Sequence, residues 1–310
     1  ADNQPGLLEC LANRGDSQCP PARDRAGAGQ PFGNVLAQIG AEGHARIGGI
    51  DAPARKNVAI GHESGLAMAA AEQKLTAAGF TVIGKHNPQG LPQHASIIVT
   101  EPGYSAAMTQ IGGSAVVGLP IRVGVKADGA VSYQNLEYWQ RAYLRANYGK
   151  AEAAIKATSG KLQQALGTGK PFGGDVKPED LPTYRYMAGM ERFDDKSELK
   201  AHASFDEAVK TIRDNLAKGV AKTAKVYEVV IPEKKLAVFG VATNDAEDGE
   251  GWWAKKIGPD HVAALPWEIF VVDNKAYSLF ARYRTALAWP DLGMFQFMGI
   301  GSHPDSNQGM

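Results

Sequence analysis

Two kinds of metal-binding chemistry are within reach of this sequence, and neither completes a known motif. His86 and His94 bracket the segment His86-Asn87-Pro88-Gln89-Gly90-Leu91-Pro92-Gln93-His94. If the runs on either side pair as a hairpin, the two imidazoles approach each other and can begin a copper or zinc site. Solvated histidines at a hairpin end are the competing reading. Thioethers are the second resource: Met187, Met190, Met294, Met298 and Met310, with His303 nearby. Thioether plus imidazole suits copper(I) or an axial haem position. Against that, Met294 and Met298 are interleaved with Phe295 and Phe297, a composition that fills hydrophobic interfaces. The seven histidines otherwise form no H-E-x-x-H, and no paired C-x-x-C or C-x-x-C-H occurs.

Other chemistries leave weaker traces. Gly65 and Gly112-Gly113 belong to no G-x-S-x-G context. Gly27-Ala28-Gly29-Gln30-Pro31-Phe32-Gly33 follows no strand pattern and is interrupted by Pro31, which argues against a dinucleotide site. Asp245-Ala246-Glu247-Asp248-Gly249-Glu250 misses the EF-hand spacing and reads as a solvated acidic loop. No catalytic residue is singled out.

Composition narrows the partners. Lys+Arg and Asp+Glu each total 33, so the basic surplus that nucleic-acid binding usually leaves is not visible, and no nucleic-acid partner is expected. No apolar run approaches the roughly 20 residues that span a bilayer, so no transmembrane segment is expected. Ala1 followed by Asp2-Asn3-Gln4 is the pattern left by signal-peptide cleavage, and it predicts an exported chain, periplasmic or extracellular. Cys10 and Cys19 lie in a Gly/Pro/Arg-rich stretch with little apolar content to bury a thiol. A disulfide closing that short loop suits an oxidising compartment, with two free thiols or a redox pair as the alternatives.

Positioning these residues requires a scaffold. Residues 1–57 read as an extended N-terminal arm. Periodic structure then begins with an amphipathic helix from Ser64 to Gly79, strands at Phe80–Ile83 and Ser96–Val99, and a short helix at Ser105–Ile111. A strand at Leu119–Lys126, a turn at Asp128-Gly129 and a further strand at Val131–Tyr133 complete the unit. The same order returns after a helix at Ala151–Leu166 and a Gly/Pro-rich connector. Ser204 caps a helix to Leu216, strands follow at Val226–Ile231 and Leu236–Val241, and then come Trp252–Ile257, Leu265–Val272 and Ala276–Leu279. At a constant offset of 146, Ile111-Gly112 matches Ile257-Gly258, Leu119-Pro120 matches Leu265-Pro266, and Val125, Ala130 and Ser132 match Val271, Ala276 and Ser278. Internal duplication follows.

The unit resembles the domain-of-unknown-function 302 family. Ala78-Gly79-Phe80, Ile111-Gly112 through Leu119-Pro120-Ile121-Arg122-Val123, and Ile257-Gly258 through Leu265-Pro266 carry the likeness. It covers residues 60–145 and 203–285 and implies a two-layer α/β sandwich that often dimerises; it brings no catalytic residues. The expected fold is therefore α+β: two tandem two-layer α/β sandwiches with helices on one face of a mainly antiparallel sheet, plus an N-terminal extension. The expected parts are the arm 1–57, a first repeat 58–166, a connector 167–200, and a second repeat 201–310 ending in an apolar tail.

Aromatic residues set the functional expectation. Tyr133, Tyr138, Trp139, Tyr143 and Tyr148 follow the first hairpin, and Tyr277, Phe280, Tyr283 and Trp289 follow the second. Trp252, Trp253, Phe295 and Phe297 are the candidate interface residues, because large aromatics are enriched where proteins meet. The sequence thus predicts a non-catalytic, exported binding or assembly protein that meets a protein partner or a second copy of itself, with no cofactor. A periplasmic redox accessory holding haem or copper through His and Met is the alternative, and an enzyme with an inter-domain site is the third reading.

Overall fold

In the computed structural model, which describes residues 58–61, 68–174, 176–247 and 249–301, the chain opens with β1 (Val58–Gly61), α1 (Met68–Ala77), β2 (Thr81–His86) and β3 (His94–Thr100). It continues through α2 (Pro102–Ile111), a 3-10 turn at Gly113–Gly118, β4 (Ile121–Lys126), β5 (Val131–Gln134), α3 (Leu136–Leu144) and α4 (Tyr148–Leu166). Two strands then lie within the connector, β6 (Lys170–Phe172) and β7 (Ser197–Ala201). The second repeat comprises α5 (Phe205–Ala217), β8 (Thr223–Ile231), β9 (Leu236–Thr243), α6 (Glu250–Ile257), a 3-10 turn at Pro259–Ala264, β10 (Trp267–Val272), β11 (Lys275–Ser278), α7 (Ala281–Ala288) and α8 (Met294–Gly301). The expected arm, with Cys10 and Cys19, lies outside the described residues, as do His303 and Met310.

Two antiparallel sheets result, ordered β2-β3-β4-β5-β1-β6 and β7-β11-β10-β9-β8, so the architecture is α+β. The connector therefore does more than connect: β6 extends the first sheet beside β1, and β7 forms an edge of the second beside β11. Local chemistry explains the element ends. Ser204 Oγ accepts from Glu207 N–H while the Glu207 carboxylate accepts from Ala203 N–H, a reciprocal cap at the start of α5. Both α1 and α5 stop at a left-handed glycine, Gly79 and Gly219, a conformation open to a residue without Cβ.

The duplication is visible in the geometry, with one correction to the gapless match. The 3-10 turns and the strands β4 and β10 correspond at the sequence offset, but the second hairpin is one residue shorter. Val125 stands opposite Val131, whereas Val271 stands opposite Ala276. Past the turn, the matched identities Ala130/Ala276 and Ser132/Ser278 are consequently not structural counterparts. A second shared feature sits upstream: β2 carries a bulge between Val82 and Gly84, and β8 carries one between Lys225 and Tyr227.

Alternation on the central strands decides how the repeats meet. On β9 and β10, Ala237, Phe239, Val241, Ile269 and Val271 pack with Phe205, Val209 and Ile212 under α5. The opposite face, with Val238 and Phe270, joins the residues of the first repeat in one common core. Packing across this junction is reciprocal. The 3-10 turn of the first repeat rests on β9 and β10, and that of the second rests on β3, β4 and β5. Close approach is needed at two glycines: a Cβ on Gly124 would meet Val262 Cγ1 at 2.6 Å, and one on Gly84 would meet Val226 O at 2.6 Å. The two bulged strands β2 and β8 thus touch backbone to backbone.

Candidate functional site

Between the sheets lies a closed polar cluster. Arg122 on β4 and Glu268 on β10 occupy corresponding positions of the two repeats and pair directly through Nη2 and Oε1. Arg284 on α7 grips the same carboxylate, with Nε 3.2 Å from Oε2 and Nη2 3.1 Å from Oε1, and also donates to Ala264 O at 2.7 Å. Arg122 Nη2 donates to the Tyr227 hydroxyl at 3.1 Å. The Arg284 guanidinium lies over the rings of Trp139 and Trp267, 4.6 and 5.2 Å from their centroids. These side chains are all buried. Two cations thus share one anion away from water, and Arg122 Nε, Arg284 Nη1 and the hydroxyls of Tyr143 and Tyr283 have no hydrogen-bond partner among the described residues. Desolvation makes such a pair a weak source of net stability but a costly one to break, by about 3–5 kcal/mol when one partner is removed. The cluster fixes how the repeats sit together. Its sequence signal was available: matching positions of a duplicate carry opposite charges inside two apolar runs.

The two candidate metal-binding histidines take separate partners. His86, at the end of β2, is buried, and its Nε2 lies 2.5 Å from Glu250 Oε1 at the start of α6. His94, at the start of β3, sits opposite Lys126, with its Nε2 3.8 Å from Asp260 Oδ1. Lys126 Nζ donates to the same oxygen at 2.9 Å. The hydrogen bond from Lys126, assisted by the charges of Lys126 and His94, holds the Asp260 carboxyl below its usual range. Both histidines therefore reach across to carboxylates of the second repeat, and among the described residues no group of three His, Cys, Asp or Glu side chains converges on a metal position. Glu250 was hidden in sequence because it belongs to an acidic run that reads as solvent-facing.

The candidate interface residues divide. Trp253 is fully buried, with its ring 5.2 Å from that of Trp267 and 5.3 Å from that of Trp289. Trp252 is half-buried, with Lys256 Nζ 3.5 Å from its ring centroid. Phe297 is buried and stacks on Tyr186 at 4.2 Å. On the same helix α8, Phe295 is 90% exposed and Met294 44% exposed. Met298 lies in α8 with its side chain outside what the structure describes. Met190 packs against the common core.

One concave site opens at the junction of α3, the connector and α7. Its walls are Ala142, Leu181, Pro182 and Phe193, its rim carries Arg145, Arg192 and Asp194, and Tyr184 and Tyr283 lie against it, enclosing about 340 Å³. Arg145 pairs with Asp194 and has a left-handed backbone at φ 52°, a conformation that costs a non-glycine residue about 1–3 kcal/mol. Burial raises the Tyr283 hydroxyl well above its ordinary range, so it is a neutral phenol. No protein-family model, curated protein or solved structure matches this chain. The arrangement can therefore be read only from its own chemistry: one sealed polar junction, one small cleft, and one seated helix with an apolar outer face. No helix among the described residues is long and apolar enough to cross a membrane.

Proposed function

We propose that this chain is an exported, non-catalytic binding and assembly protein that acts through protein–protein contacts made by α8. The observation that carries the reading is the two-sided character of that helix. Phe297 anchors it against Tyr186 while Phe295 and Met294 face outward. Leaving a phenylalanine in water forgoes about 1.5–3 kcal/mol of burial, which a partner surface recovers. A second copy of the chain is the partner to expect first. With cations and anions balanced at 33 each, no net charge keeps copies apart. The reading takes the repeat to be of the domain-of-unknown-function 302 type, whose units often dimerise. On this reading the reciprocal packing of the two repeats uses the face by which such units pair, and the contact left for a second copy falls to α8.

Native mass spectrometry of the chain with and without residues 290–310 tests this reading. A multimer that reverts to monomer on deletion is the expected result. An intact chain that is monomeric at every concentration, or an assembly indifferent to the deletion, counts against it.

A further inference from the structure

We propose that the cleft between α3, the connector and α7 binds a small planar organic carboxylate. The site is separate from the outer face of α8. Its volume of about 340 Å³ suits a small molecule. Aromatic and aliphatic side chains make its walls: the Phe193 and Tyr283 rings lie 6.2 Å apart, Tyr184 and Tyr283 6.4 Å apart, and Leu181 and Ala142 are buried beside them. Such walls take a flat apolar body.

The charged side chains that line the cleft, Arg145, Arg192 and Asp194, leave one positive charge over. At the rim, Asp194 is already matched by Arg145. Asp195 accepts from the backbone N–H of Arg192 at 2.8 Å. The exposed Arg192 guanidinium has no ion pair among the described residues and is free to meet a carboxylate in the two-pronged manner guanidinium favours. Tyr283 lines the cleft and is 2% exposed, and its buried hydroxyl has no hydrogen-bond partner among the described residues. Arg284 and Arg145 both bear on that hydroxyl electrostatically.

Calorimetric titration of the full chain with benzoate and with its neutral isostere benzamide tests the proposal. Benzoate is expected to bind saturably at one site with Kd below about 1 mM, and benzamide at least about ten-fold more weakly. Arg192→Gln, an exposed position where folding is not at stake, should weaken benzoate about ten-fold and leave benzamide unchanged. Absence of saturable binding up to about 10 mM benzoate, equal affinity for the two probes, or an undiminished benzoate preference in Arg192→Gln would each overturn it.

Discussion

Glu268 answers two guanidinium groups at once, and removing its charge leaves Arg122 and Arg284 buried without a counter-ion. Glu268→Gln should therefore lose about 3–5 kcal/mol of stability in urea denaturation. Adding Arg122→Met to that variant should recover part of the loss, because the second substitution removes a stranded charge. Additive losses would show that the two residues act independently. The roles of these side chains were only half legible in the sequence. Arg122 and Glu268 stand at matching places in the duplicate, but which face each presents, and that the faces meet, depends on the packing of whole sheets. His86 shows the same limit, since its partner Glu250 lies 164 residues away. Sequence spacing linked His86 to His94 instead, whereas in the structure His86 meets Glu250 and His94 lies 3.8 Å from the Asp260 oxygen that Lys126 holds.

At the scale of elements, Glu101 ties α2 to α4. Its Oε2 accepts from Tyr104 N–H at 2.7 Å and from the Thr158 hydroxyl at 3.4 Å, and Lys161 Nζ donates to Oε1 at 2.6 Å. Burial pushes this carboxyl up, and the bonds to Lys161, Tyr104 and Thr158 outweigh burial and hold it below its ordinary value of 4.5. A carboxyl depressed in the folded state stabilises the fold above that value and loses its contribution as pH falls through the folded pKa. Glu101→Gln should thus melt lower than the parent at pH 7, by about 1 kcal/mol for the weakened cap, and the gap should narrow below pH 4.5. A gap that is constant from pH 7 to pH 3 would contradict the assignment. Helices with one apolar stripe, such as α5, were plain in the sequence. The helix α7 was not, because Tyr283 through Ala288 are buried around most of its circumference. A helix without a polar face shows no amphipathic period. The connector strands β6 and β7 escaped for a related reason: short, largely exposed edge strands carry little alternation.

At the scale of the molecule, one core runs through both repeats, and the 3-10 turns, the bulged strands and the Arg–Glu–Arg cluster all cross the junction. Repeats joined in this way should unfold together. Differential scanning calorimetry should show one transition with equal calorimetric and van't Hoff enthalpies, and two resolved peaks would mean that the repeats are independent. The repeat pattern and its α+β class were readable from strand and helix periods. The reciprocal packing came only with the structure, since nothing in a linear sequence specifies which faces of two similar units meet. That packing leaves α8 as the exposed apolar feature on which the functional reading depends. The most direct test is sedimentation velocity of the wild-type chain and of Met294→Ser/Phe295→Ser over a hundred-fold range around about 10 μM, with thermal melting as the control for folding. The account predicts concentration-dependent association in the wild type, weakened at least about ten-fold in the variant, with the melting temperature unchanged. A wild-type chain that stays monomeric throughout, or a variant that associates equally well, would contradict it.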